Sequence, residues 1–186
     1  MDKIVKLQNT PIEGLQILQA TIFEDVRGKF IKTFNDAFFR EKGLNINIEE
    51  TYFSISHKNV IRGMHFQTPP YDHVKIVYVP YGRILDVVLD IRKNSPTYGK
   101  KFSLELSSDN AKVLIIPKGL AHGFKSLQDY TNVTYMQTTG YAPDNDTGIR
   151  YDSFGFDWQC SSPKLSKRDM KFQLFNDFQT PFINEI

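Results

Sequence analysis

The chain has 186 residues, 40% apolar and 24% charged, with a formal net charge of +2. That suits one globular domain with an ordinary core and gives no basic field for nucleic acid or an anionic membrane. The single cysteine, Cys160, excludes an internal disulfide and a cysteine metal site; no apolar stretch reaches bilayer-spanning length, and Met1–Lys6 lacks the apolar run of a signal peptide, so a cytoplasmic, reducing location is expected.

Fifteen Phe and nine Tyr lean the chain toward strands, where aromatic rings pack well on a pleated surface. Phe30, Lys32 and Phe34 share one face of the first alternating run. Asn35 is placed to cap a short helix through Arg40, ended at Gly43. Lys75, Val77 and Val79 alternate with Ile76 and Tyr78; Leu85, Val87 and Leu89 alternate with Asp86, Val88 and Asp90. Phe102, Leu104 and Leu106 follow the same rule, then the apolar run Lys112–Ile116, then Val133, Tyr135 and Gln137. Pro-Gly, Asn-Ser-Pro and Pro-Asp-Asn clusters separate these runs, and Ser166 is placed to cap a second helix from Lys167 toward Phe175. Many short strands with turns between them predict an all-β fold, a jelly roll of two antiparallel sheets with a few short helices. Residues 1–186 read as one domain, with the jelly-roll core over about 20–145 and a C-terminal helical segment over about 163–180.

The segment Val60–Lys75, V-I-R-G-M-H-F-Q-T-P-P-Y-D-H-V-K, gathers an Arg, two His and a Lys around a Pro-Pro break. An arginine can clamp phosphate, a histidine can take a proton near neutral pH, and a lysine can hold a developing oxyanion. The same segment also reads as a loop of solvated charges. Lys75 stands on an otherwise apolar face, where burial is costly unless a carboxylate, a phosphate or a substrate oxygen meets it; snorkelling to water is the plain alternative. If residues 62–67 are extended, Arg62, Met64 and Phe66 face one side and Gly63, His65 and Gln67 the other. A metal site from His65, His73 and His122 lacks tight ligand spacing, and Gln67 is a poor ligand, so no metal is expected. Taken singly, His122 between small residues reads as a turn histidine, Tyr135 as a core tyrosine and Asp169 as a carboxylate near a helix start.

Together, several ordered motifs carry a resemblance. Phe23-Glu-Asp-Val-Arg27-Gly-Lys-Phe30 comes first, then Val60–Gln67, then Asp86–Gly99 (D-V-V-L-D-I-R-K-N-S-P-T-Y-G). Ile116–Phe124 (I-P-K-G-L-A-H-G-F), the pair Tyr135 and Tyr141, and Leu165–Asp169 complete the set. With these motifs the chain resembles the dTDP-4-dehydrorhamnose 3,5-epimerase family from about Phe23 to Asp169. The resemblance implies a cupin-like jelly roll, a homodimer, no cofactor, and inversion of carbons 3 and 5 of a nucleotide-diphosphate-linked 4-keto-6-deoxy sugar. It makes His65 the general base oriented by Asp169, Tyr135 the acid on the opposite face, and Lys75 the stabiliser of the enolate oxygen. Arg62 and His122 would contact the sugar and its phosphates. Phe23, Gln67 and Tyr141 fall in the same motifs and are assigned to substrate binding, and Arg27 would reach the neighbouring subunit's site. The chemistry agrees: a hydrogen beside a ketone needs its enolate stabilised, and inversion needs a donor on the far face. A tyrosine suits that task if a nearby positive charge lowers its pKa.

The departures lie elsewhere. Lys32 replaces the family's usual Glu at the thymine, Glu50 and Tyr52 replace a Gln and an Asn, and Tyr71–Val74 differs from the usual approach to Lys75. Lys32 could donate to guanine O6 and Glu50 could accept guanine N–H groups, which suggests a GDP-linked sugar, including a 4-keto heptose of surface-polysaccharide synthesis. A related 4-keto-sugar ketoisomerase, a catalytically silent nucleotide-sugar-binding cupin and a metal-dependent cupin oxygenase are the alternatives.

Overall fold

The computed structural model describes residues 6–184. In chain order come β1 (Lys6–Asn9), β2 (Gln16–Gln19), β3 (Thr21–Asp25), β4 (Gly28–Lys32), α1 (Asp36–Glu41), β5 (Glu50–Ser56) and β6 (Ile61–Gln67). Then follow β7 (Lys75–Tyr81), β8 (Arg83–Asp90), β9 (Lys101–Ser107), β10 (Lys112–Ile116), β11 (Leu120–Ser126), β12 (Thr131–Gln137) and β13 (Asp146–Gly148). They form a six-stranded sheet ordered β1-β2-β10-β7-β12-β5, a five-stranded sheet ordered β13-β6-β11-β8-β9, and a separate β3–β4 hairpin. From β5 to β8 the chain passes from one large sheet to the other at each step, and all pairings between these strands are antiparallel, as a jelly roll requires. The sheets begin before residue 20 and end just past 145, since β1, β2 and β13 belong to them.

Alternation sets which side chains face inward. Val77 and Val79 of β7, Ile84 and Val88 of β8, Leu120 and Phe124 of β11 and Val133 and Tyr135 of β12 share the core between the sheets. The opposite faces are covered separately. Met64, Val87 and Leu89 pack under the C-terminal aromatics Phe154, Trp158 and Phe182. Ile76, Val113 and Ile115 pack under Phe39 and Ile46. Helix α1 forms as its sequence predicts: the Asn35 side chain accepts from Phe38 N–H at 2.9 Å.

Two sequence expectations are corrected. The C-terminal segment is not a helix but two 3-10 turns, Asp169–Lys171 and Phe175–Asp177. Ser166 Oγ does accept from Asp169 N–H at 3.0 Å, yet that bond closes one turn only. Beyond it Gln173 bridges to Ile149, and Phe175 and Phe178 reach down onto the five-stranded sheet. The second correction concerns β6. Its register on β11 shifts between His122↔His65 and Phe124↔Arg62, so Gly63 and Met64 together oppose Gly123. The extra residue reverses the alternation, and Arg62 lines the same cavity as His65 instead of facing away from it. Gly63 is required there: its φ is 134° and a Cβ would lie 2.5 Å from Gly123 Cα.

A buried knot closes the β8–β9 connection. Asp90 Oδ2 accepts from Arg92 Nη2 (2.8 Å), Ser95 Oγ (2.7 Å) and Thr97 Oγ1 (2.6 Å), while Oδ1 accepts from Arg92 N and Nε. Burial opposes the charge on Asp90, but the Arg92, Thr97 and Ser95 bonds hold its carboxyl below the usual range. Removing it with Asp90→Ala strands the Arg92 guanidinium. The expected loss is about 3–5 kcal/mol, or roughly 10 °C in Tm by calorimetry. A loss below about 1 kcal/mol would show that the knot does not hold this connection.

Candidate active site

The open end of the jelly roll holds a cavity of about 360 Å³. Both sheets contribute to it. From the six-stranded sheet, β7 supplies Lys75, β12 supplies Tyr135 and Gln137, and β5 supplies Glu50, Tyr52 and Ser54. From the five-stranded sheet, β6 supplies Arg62, His65 and Gln67, and β11 supplies His122. Register explains the grouping. Lys75 stands opposite Gln137 and Tyr135 opposite Tyr52, while His65 stands opposite His122 across the bulged pair.

Each of the two facing histidines is backed by an aspartate. His65 Nε2 lies 3.0 Å from Asp169 Oδ1, and Gly63 N–H donates to Asp169 Oδ2 at 3.1 Å. Burial works against the charge on Asp169, but the bonds from His65 and Gly63 keep its carboxyl below the usual range, so it is an anion. An anion accepts, which assigns a proton to His65 Nε2; in the neutral imidazole the lone pair is then on Nδ1. His122 Nε2 lies 2.8 Å from Asp86 Oδ2, with both residues buried. Asp86 was not anticipated as a partner of His122. Its signal was the same as that of Lys75, since alternation with Leu85 and Val87 puts a charged side chain on the inner face of β8.

Lys75 is 7% exposed, and among the described residues its ammonium has no hydrogen-bond partner. Burial pushes its pKa down to about 8, with the charges of Asp146 and Asp86 pulling the other way. Tyr135 differs from expectation. Its pKa is raised: burial dominates, Tyr52 and Asp86 add to it, and Ser54 and Arg62 offset only part. The phenol is therefore a neutral donor at rest. Its ring stacks on Tyr52, with centroids 4.8 Å apart, and meets the His122 ring edge-on at 6.3 Å.

The remaining expected residues divide. Glu50 lines the cavity and accepts from Gln137 Nε2 at 2.8 Å, and Tyr141 lines it from an exposed position. Gln67 lines it too, but both ends of its amide hold loops: Nε2 donates to Tyr71 O and Oε1 accepts from Ala142 N–H, each at 2.8 Å. Phe23, Arg27 and Lys32 are on the exposed β3–β4 hairpin and do not line the cavity of their own chain. There Phe23 packs on Phe30 and Arg27 pairs with Asp25 at 2.6 Å. Among the described residues β3 and β4 form a two-stranded sheet of their own, apart from the two large sheets that build the cavity. Sequence reasoning missed Asp146 and Arg168, an ion pair of 2.7 Å at the cavity wall; Asp146 begins β13 and Arg168 precedes the first 3-10 turn, and no spacing joins them. Among the described residues no three His, Cys, Asp or Glu side chains are placed to hold a metal ion.

Comparison with known proteins places the chain in a family. The family model of dTDP-4-dehydrorhamnose 3,5-epimerase matches residues 9–177. A dTDP-4-dehydrorhamnose 3,5-epimerase of Methanothermobacter thermautotrophicus is 41% identical over 80% of this chain and 81% of its own. The Legionella pneumophila dTDP-6-deoxy-D-glucose-3,5-epimerase, solved with dTDP-4-keto-L-rhamnose, superposes with a TM-score of 0.90 at 33% identity, covering 95% of both chains. The Bacillus anthracis dTDP-4-dehydrorhamnose 3,5-epimerase, solved with TDP and PPi, gives 0.89 at 33% identity over 92% of this chain and 99% of its own. With the family model spanning most of its length and relatives above 30% identity on the same fold, the chain belongs to the dTDP-4-dehydrorhamnose 3,5-epimerase family of isomerases.

Proposed function

We propose that this protein epimerises carbon 3, carbon 5 or both of a nucleotide-diphosphate-linked 4-keto-6-deoxy sugar without a cofactor. His65 Nδ1 takes the proton from carbon beside the ketone, and the electron pair moves onto the ketone oxygen beside the Lys75 ammonium. Asp169 steadies the imidazolium. Tyr135 donates its hydroxyl proton to the opposite face of the enolate and regains one from solvent. Arg62 and His122 hold the sugar and its phosphates. The observation that carries this reading is that base and acid come from facing sheets, so a sugar ring between them meets one on each side. A ketoisomerase would share the base without needing the far acid.

The nucleobase and the assembly are finer parts of the proposal. Glu50 has one carboxylate oxygen bonded to Gln137 and the other available to accept N–H groups such as those of guanine. Lys32 offers a donor for a carbonyl such as guanine O6. We therefore extend the reading to a GDP-linked sugar, a heptose included, against the dTDP sugars for which the relatives are named. A homodimer, with Phe23 and Arg27 of each hairpin entering the other subunit's cavity, fits the exposure of Phe23, Val26 and Phe30 and the place of β5 at the edge of its sheet among the described residues.

In deuterated water the enzyme is expected to label its substrate, with two deuterons if both carbons are visited, as mass spectrometry reads directly. His65→Ala should lower labelling by about a thousandfold or more; unchanged turnover would return the chain to the class of silent binding proteins. Tyr135→Phe should still label but not invert, and full inversion would remove the phenol from the mechanism. The pH profile follows from Lys75. The ammonium stabilises the enolate only while protonated, so kcat should fall as pH rises through about 8. Lys75→Arg should move that alkaline limb upward and Lys75→Met should lower kcat by about 10²–10³. A limb unmoved by Lys75→Arg belongs to another group. In competition binding GDP should displace a substrate analogue at least about fivefold more readily than dTDP, and the reverse order would refute the guanine reading.

A further inference from the structure

We infer that Tyr52 is a positioning residue for the proton donor: it fixes the plane of the Tyr135 phenol and so sets how often the enolate is reprotonated with inversion. The inference rests on the epimerase reading above and names a residue outside the acid, base and oxyanion set.

Tyr52 and Tyr135 are directly opposed in the β5–β12 register, and their rings are nearly parallel, 19° apart at 4.8 Å. Directly opposed side chains on one sheet face touch most closely, and an offset aromatic stack resists tilting of either ring. The other face of the arrangement is also fixed. The His122 ring stands at 71° to Tyr135, and the Asp86 bond holds that imidazole in place. Tyr52 is itself held: its hydroxyl reaches Gln137 Oε1 at 3.4 Å, and Gln137 Nε2 donates to Glu50 at 2.8 Å. Four residues further along β5, the Ser56 side-chain Oγ accepts from Arg62 Nε at 3.1 Å. Strand β5 therefore holds the phenol ring through the Tyr52 stack and the Arg62 guanidinium through Ser56. Tyr52 stands at the edge of the sheet, 41% exposed, so truncating it removes the stack without opening the core.

The consequence is a partition. Once His65 holds the abstracted proton, which exchanges with solvent, the enolate has two fates. His65 can return a solvent-derived proton to the face it came from, giving labelled sugar of unchanged configuration. Tyr135 can deliver one to the other face, giving inverted sugar. A phenol free to tilt loses the second contest without affecting the first.

The test is the ratio of inverted to labelled-but-retained sugar in deuterated water, read by NMR and mass spectrometry. Tyr52→Ala, and Tyr52→Leu as a second variant that fills the space without a flat ring, are expected to lower that ratio by about tenfold or more, inversion falling further than label uptake. Tyr52→Phe keeps the stack and loses only the hydroxyl bond, and should stay within about threefold of the wild-type ratio. An unchanged ratio in Tyr52→Leu, or uptake and inversion falling in step, would overturn the inference. Absence of label in the wild-type enzyme would instead strike down the epimerase reading, and this inference with it.

Discussion

The site is organised around one buried ammonium that the protein leaves unpaired. Lys75 projects from β7 onto the face it shares with Val77 and Val79, and the described residues offer it no hydrogen-bond partner. Depression of its pKa from 10.5 to about 8 makes the charged form roughly 3 kcal/mol less favourable than in water. Asp146 and Asp86 return part of that through space rather than by contact. A closer carboxylate would satisfy the ammonium and spend the field that an enolate oxygen needs. Held at a distance, the two aspartates keep the lysine charged near neutrality and its protons free for a ligand.

The jelly roll supplies what the lysine lacks. Strands on facing sheets bring side chains to one cavity from two directions, and antiparallel register fixes their spacing. Behind each of the two facing imidazoles stands a carboxylate from elsewhere in the chain: Asp169 from a 3-10 turn behind His65, Asp86 from the neighbouring strand behind His122. The two aspartates do different work. Asp169 is also tied to Gly63 N–H, so the β6 bulge, the base and the C-terminal segment are one unit. Asp86 adds negative charge near both Lys75 and Tyr135, supporting the first as a cation and the second as a neutral phenol.

How much of this could be read from the sequence depends on whether strict alternation holds locally. It holds over Lys75–Val79 of β7, along β8 and over Val133–Gln137 of β12, so the inward placement of Lys75 and Tyr135 follows from period two alone. It fails at β6. The bulge at Gly63 adds one residue, and Arg62 joins His65 on the cavity side. The Gly63–Gly123 contact that demands the bulge is a long-range fact no local pattern carries. The C-terminal segment misled for a related reason. Phe172, Phe175 and Phe178 recur at a spacing of three, which suits a helix face and equally a run of 3-10 turns laid over a sheet. The hairpin residues Phe23, Arg27 and Lys32 could be placed in a motif by resemblance, but their own chain gives them no cavity to enter.

Tyr135 is where environment reverses a sequence expectation with a mechanistic gain. A phenol with a lowered pKa would be a stronger acid, but it would also be partly ionised in the range where the enzyme must donate. Burial raises the pKa instead and keeps the proton in place throughout the interval in which Lys75 is charged. The donor is then weak in the ground state. Its transfer becomes favourable only when the acceptor is a carbon of high proton affinity, as an enolate carbon is, and when Arg62 is near to meet the phenolate that remains. The two groups lose their protons in well-separated ranges, so loss of activity on the alkaline side reports the ammonium and not the phenol.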